Sequence, residues 1–193
     1  MAGPARYTAV LDACVLYPVS VADALLSLAV AGLYAARWTT TIEDEWIRNL
    51  EHRRPELKGR LLTRRNDMRA AVPDWEVPAA ACRGLAPAIS LPDPGDTHVL
   101  AAALVGHADC IVTTNLRDFP AAILAPYGVE ALHPDDFIVA QIDLNEIAAL
   151  TAFREMRARK RNPTLDAEAF AQALERNGLV ATASRLRLAA SLI

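Results

Sequence analysis

Two short runs of uninterrupted apolar sequence constrain this chain most. In Tyr7-Thr-Ala-Val-Leu-Asp12, the residues Ala9, Val10 and Leu11 follow one another without a polar break. Asp109–Thr114 holds the second run, Cys110-Ile-Val112. A strand wetted on one face alternates apolar and polar residues, whereas a continuous run fits a parallel sheet covered on both faces. The segments between these runs read as helices, so the order is strand, helices, helix, strand, helix, strand. That is an α/β pattern with crossover connections.

The helical stretches have recognisable ends. Ser20 or Asp23 starts a helix that runs to about Gly32. Trp38-Thr-Thr-Thr41 is short and β-prone. Helix resumes from Ile42 to Leu50, and again from Pro55 to Ala71. Five prolines between Val72 and Gly95 mark that stretch as loop with at most short strands. Thr97–Gly106, Pro120–Leu124 and Pro134–Ile142 read as helices, and Val129–Leu132 as a short strand. From about Asp143 the character changes to Ala- and Arg-rich amphipathic helix, broken at Asn162-Pro163 and again at Asn177-Gly178. The expected division is therefore an α/β body over 1–142 and an all-helical extension over 143–193.

The 193 residues suffice for one full core and a small appendage. The mean hydropathy of +0.16 argues for a filled globule, not disorder. With net charge −3 there is no global nucleic-acid footprint, so any such contact rests on local charge. Cys14, Cys82 and Cys110 are isolated, with no zinc spacing, which fits reduced thiols in a cytoplasmic setting. The opening residues lack a charged stretch followed by an apolar one, so no secretory signal is expected. The most apolar stretch, Ala24 to Ala36, is too short to span a bilayer.

Four acidic residues stand where strands end or helices begin. Asp12 ends the first apolar run, Glu45 lies on the helix that follows the β-prone segment, Asp96 opens the helix from Thr97, and Asp118 follows the second run. Loops beyond the carboxyl ends of parallel strands converge in one crevice, so carboxylates there can share a site. Each also has a plain reading: Asp12 as a turn residue, Asp96 as a helix cap, Asp118 as the cap of a short helix. Glu43 and Asp44 adjoin Glu45, and sequence alone does not choose among them. Thr114 and Asn115 could orient a carboxylate or a water. The four histidines are scattered, with no metal-binding spacing, and read as surface or capping residues.

The segments Val10-Leu-Asp-Ala-Cys-Val-Leu-Tyr-Pro18, Asp44-Glu-Trp-Ile-Arg-Asn-Leu50, Leu91-Pro-Asp-Pro-Gly-Asp-Thr-His-Val-Leu-Ala-Ala-Ala103 and Ile111-Val-Thr-Thr-Asn-Leu-Arg-Asp-Phe-Pro120 together resemble the acidic motifs of PIN-domain ribonucleases. The resemblance is to the VapC-like toxins of bacterial toxin–antitoxin pairs, and it covers roughly residues 7–140. It implies a central parallel sheet wrapped by helices and a Mg²⁺- or Mn²⁺-dependent endoribonuclease. It also implies an RNA substrate and a cognate antitoxin, with the protein a homodimer or antitoxin-bound; no membrane is expected, from the shortness of the apolar stretch Ala24 to Ala36. Asp12, Glu45, Asp96 and Asp118 match the family's acidic positions as catalytic and metal-binding residues. The fourth motif departs from the commoner pattern, since Asn115 and Leu116 stand where many relatives carry an Asp. The helices after about residue 143 resemble only the extensions of some members.

Hard carboxylate oxygens suit Mg²⁺ or Mn²⁺, and clustered carboxylates repel one another unless a cation lies among them. Between Arg48 and Arg69, eight basic residues face three acidic ones, a local net charge of +5 directly after Glu45. Within that arm Arg48, Arg53, Arg54, Arg64 and Arg65 are candidates for the RNA backbone, against the plainer reading of a solvated helix face. A phosphohydrolase of the haloacid-dehalogenase type also begins with a strand and an Asp, but it wants a second Asp where Cys14 stands. A non-catalytic PIN-fold module binding RNA or protein, and a nuclease acting on DNA, are the remaining alternatives.

Overall fold

The computed structural model describes residues 7–193. Residues 1–6, where a targeting signal would begin, lie outside the described residues. The strands are Thr8–Leu11 (β1), Ala35–Arg37 (β2), Cys110–Val112 (β3) and Glu130–Leu132 (β4). The α-helices of the first half are Ala13–Leu16 (α1), Val19–Val30 (α2), Thr40–Arg53 (α3), Leu61–Ala71 (α4), Ala79–Leu85 (α5) and Thr97–Val105 (α6). Those of the second half are Ala121–Leu124 (α7), Pro134–Leu144 (α8), Glu146–Ala158 (α9), Ala167–Glu175 (α10) and Val180–Leu188 (α11). Contacts group the chain into two compact units. One is Met1–Tyr17 with Tyr34–His133, and the other is Pro18–Leu33 with Pro134–Ile193.

The first unit holds a four-stranded parallel sheet in the order β2-β1-β3-β4. Ala9, Val10 and Leu11 of β1 and all of β3 are fully buried, as their unbroken apolar sequence requires. Chain order places β2 on one side of β1 and β3 on the other, so the direction of winding reverses between β1 and β3. Such a reversal opens a crevice at the carboxyl ends of the two strands.

Three local expectations are corrected here. The second strand is Ala35–Arg37, just before the β-prone Trp38-Thr-Thr-Thr41. Thr39 instead caps α3, its hydroxyl accepting from the Ile42 amide at 3.1 Å, which draws Thr40 and Thr41 into the helix. The proline-rich stretch after Val72 is also not all loop. It contains α5 and two 3-10 turns, because Pro78 and Pro87 sit at helix starts where a missing amide costs nothing. The helix expected from Pro55 to Ala71 is divided into a 3-10 turn, Pro55–Leu57, and α4, with Gly59 at φ +74° between them.

The second unit consists of α2, α8, α9, α10 and α11. Within it α2 packs on α8, α9 and α10, burying Leu25 and Leu28 completely. Asp23 of α2 takes Arg159 at 2.8 Å and Lys160 at 2.6 Å. The buried Asp135 caps α11, accepting from the Ala181 and Thr182 amides at 2.7 and 2.8 Å and from the Thr182 hydroxyl at 2.7 Å. Both α9 and α11 pack on α8, and a groove of about 590 Å³ remains between them, lined by Ile147, Leu150, Leu188 and Leu192. Contacts thus separate the units at His133/Pro134, while a boundary at 142/143 falls inside α8. Among the described residues no helix is long and apolar enough to cross a membrane.

Candidate functional site

Asp12 is the first residue past β1, and its amide still donates to the Val112 carbonyl of β3 at 3.2 Å. The register Leu11↔Val112 therefore sets Asp12 beside Thr113 at the reversal point of the sheet. Asp12 is only 4% exposed, yet it is not orphaned. Its Oδ2 accepts from the buried Thr113 hydroxyl at 2.7 Å and from the Cys14 thiol at 3.1 Å. Cys14 Sγ in turn accepts from the Thr114 amide at 3.2 Å, and Thr113 Oγ1 from the Asn115 amide at 3.0 Å. Burial raises the Asp12 pKa, while the Thr113 and Cys14 hydrogen bonds pull it back. Burial, then the charge of Asp12, pushes the Cys14 thiol up to about 11.

The other carboxylates reach this edge for a topological reason. A helix that returns between parallel strands runs against them, so its first turn lies at their carboxyl ends. The start of α3 follows β2 and carries Glu45; the start of α6 precedes β3 and follows Asp96. Asp118 closes the 3-10 turn Leu116–Asp118 just after β3. Burial, then the charges of Asp12, Asp93, Asp118 and Glu45, pushes the Asp96 carboxyl up to about 6 from 3.8. Asp12, Glu45 and Asp118, and Asp93 besides, thus lie near enough to Asp96 for their charges to raise it. Among the described residues, however, no three His, Cys, Asp or Glu side chains already stand at the spacing that grips a metal.

Neighbouring acids on α3 are sorted by burial. Glu43, 1% exposed, accepts from Trp38 Nε1 at 3.0 Å and Arg69 Nε at 3.0 Å, with a second short contact to Arg69 Nη2. It is spent inside the fold. Glu45 is partly exposed and meets His98 Nε2 at 3.2 Å, an ion-pair distance off the hydrogen-bonding angle. His98 Nδ1 lies 2.7 Å from the Gly95 carbonyl. Burial opposes charge on His98, but Glu45 and the Gly95 carbonyl outweigh it, and the net effect raises its pKa.

Sequence reasoning passed over three members of this network: Thr113, Cys14 and His98. The signals were present. Thr113 is the first residue past the second apolar run, Cys14 lies two past Asp12, and His98 two past Asp96. Thr114 and Asn115, singled out instead, are exposed and contribute their backbone amides.

The basic arm is only partly open. Arg64 donates to the Tyr17 carbonyl at 3.2 Å and, more closely, to that of Leu16, and it lies 4.6 Å over the Trp46 ring. Arg53 lies 5.8 Å over Tyr17, and the exposed Arg54 pairs with Glu56 at 2.8 Å. Arg48 is exposed, and Arg65 is half-buried with its Nε unpaired.

Comparison with known proteins divides the chain in a similar way. A PIN domain family model matches residues 8–117, and a VapC50 C-terminal domain model matches residues 134–188. A protein of Mycobacterium tuberculosis (strain ATCC 25618 / H37Rv) named "Putative ribonuclease VapC50" is 58% identical over 53 residues. That segment is 28% of this chain and 31% of the relative, so it spans about a third of the relative's length. No solved structure matches.

Proposed function

The chain belongs to the PIN-domain family, and from that premise we propose that it is a metal-dependent endoribonuclease, the toxin of a toxin–antitoxin pair. The observation that carries the reading is the partly buried Asp96 at the sheet's carboxyl edge, pushed up to about 6 first by burial and then by the charges of Asp12, Asp93, Asp118 and Glu45. The ribonuclease name of the VapC50 relative supports it. Asp12, Glu45, Asp96 and Asp118 would hold the divalent ion.

The donor set fits Mg²⁺ or Mn²⁺. It is all carboxylate oxygen, and the repulsion felt at Asp96 is what a divalent cation relieves. When bound, such an ion supplies Lewis acidity towards a phosphodiester and a water. The chain does the rest. Thr113 and Cys14 fix the Asp12 carboxylate in one rotamer before any ligand arrives. His98 steadies Glu45. Burial of Asp12 keeps bulk water from screening the charges beside it. Arg48, Arg53, Arg54 and Arg65 attract the RNA backbone along the arm after Glu45.

The cognate antitoxin is the expected partner, and the protein acts in the cytoplasm, as a homodimer or held by that partner. In the second unit Ile147 and Leu188 are 83% and 88% exposed beside the α9–α11 groove. Apolar side chains left that open mark an interaction face. Purified protein incubated with structured RNAs and matched DNAs, with and without EDTA, tests the activity. Cleavage of RNA is expected, lost on chelation and in Asp12→Asn. Cutting that ignores EDTA and persists in Asp12→Asn would remove the reading.

A further inference from the structure

We propose that Arg64 is a positioning residue of the carboxylate site, tying the segment of Asp12 to the segment of Glu45, and not a contact for the RNA backbone; the claim rests on the ribonuclease reading above. Two observations lead to it. First, α1 is a single turn directly after Asp12, and the Asp12 carbonyl accepts from the Val15 and Leu16 amides at 3.1 and 3.2 Å. The carbonyls at the end of so short a helix have no partners within it. Arg64 supplies them, Nη1 donating to Tyr17 O at 3.2 Å and Nη2 to Leu16 O.

Second, the same guanidinium lies over the Trp46 ring, its Cζ 4.6 Å from the ring centre. Trp46 is fully buried and is the next residue after Glu45 on α3. One rigid planar group therefore touches the backbone at the end of α1, after Asp12, and the side chain next to Glu45 on α3. Its fork satisfies α1 while its charge sits over the Trp46 ring of α3. Lysine cannot do both, because an ammonium has neither the fork nor the stacking face. Arg64 is half-buried, with two of its five N–H groups given to these carbonyls and its guanidinium over Trp46, so it is turned inward from the arm's surface. Arg53, over Tyr17, and the exposed Arg54 stay on the surface of the arm.

The consequence is geometric. If the fork is lost, Asp12 and Glu45 no longer hold a common spacing, and small misplacements of reacting groups cost orders of magnitude in rate. The test compares Arg64→Lys and Arg64→Gln with Arg53→Gln in the full chain, each confirmed folded by circular dichroism. Three quantities are read: Mn²⁺ affinity by calorimetry, kcat and KM on RNA, and the salt slope of RNA binding in EDTA. Both Arg64 variants should lose about tenfold or more in kcat and in Mn²⁺ affinity, with KM and salt slope unchanged. Arg53→Gln should move KM and lower the slope by about one.

Wild-type kcat and Mn²⁺ affinity in both Arg64 variants would overturn the proposal. So would a raised KM with a lowered slope, which would return Arg64 to the RNA contacts. Unfolding of both variants would assign Arg64 to the fold and overturn it too. If the wild type binds Mn²⁺ but cuts no RNA, the ribonuclease reading fails and Mn²⁺ affinity alone decides the positioning role. If it binds no Mn²⁺, both fall.

Discussion

Glu43 and Glu45 stand two residues apart on α3 and have different fates. Glu43 is sealed under Trp38 and Arg69, so its charge is used for packing. Glu45 faces His98 near Asp12 and Asp96. Glu43→Gln should therefore cost stability, roughly 2–3 kcal/mol, because it leaves the Arg69 guanidinium without its carboxylate. Glu45→Gln should leave the melting temperature near wild type and lower RNA cleavage at least tenfold. Denaturant titration and initial rates on the same two proteins check both. Asp96 gives the pH prediction. Its folded pKa, about 6, lies above the ordinary 3.8, so the folded state binds a proton more tightly than the unfolded chain. Without metal, the protein loses stability as pH rises from about 4 through 6. Asp96→Asn should remove that slope and gain about 1 kcal/mol at pH 7, given solvent screening at this partly exposed site. Urea melts in EDTA at pH 4.5 and 7.5 measure it; an unchanged slope would mean that burial and the neighbouring carboxylates do not raise Asp96.

At the scale of elements, the site is an outcome of which ends of which helices meet the sheet edge. The starts of α3 and α6 come to the carboxyl ends of the strands because the sheet is parallel. The α3–α4 arm looks uniformly basic in sequence, but the fold divides its charges. Arg64 and Arg69 turn inward to carbonyls, Glu43 and the rings of Trp46 and Trp75. Arg48, Arg53 and Arg54 remain exposed. Neutralising those three should weaken RNA binding and flatten its salt dependence by up to about three units of log–log slope. Filter binding across a range of salt concentrations reads this directly. An unchanged slope would make the arm a solvated face.

On the scale of the whole chain, the second unit begins earlier than its sequence suggests. It includes Pro18–Leu33, so α2 finds its partners more than a hundred residues downstream in α8, α9 and α10. A truncation after Ile142 deletes α9 and α10 and should strip the buried face of α2, including Leu25 and Leu28. The shortened protein should bind a hydrophobic dye and aggregate, read by dye fluorescence and light scattering. A monomeric, cooperatively melting product would show that α2 does not need those helices. The α9–α11 groove belongs to the same unit. Replacing Ile147 and Leu188 with Glu should leave metal binding intact and abolish partner capture or self-association, measured by light scattering across concentration.

The sequence by itself determined the class of fold and offered acidic candidates after its apolar runs and near its helix starts. Unbroken apolar runs have one economical use, a covered parallel strand, and the carboxylate after each run must then lie at the strand's carboxyl end. It also carried the PIN resemblance, which the family match upholds. Tertiary structure alone decided the rest. Whether Glu43 or Glu45 faced the site depended on where Arg69 and Trp38 came to rest. Thr113, and not Thr114, came to bind Asp12 because strand register put it opposite. The assignment of α2 to the distant helices, and of Arg64 to the end of α1, rests on contacts dozens of residues or more apart in sequence. Local pattern reports how a segment meets water, but not which distant side chain covers it.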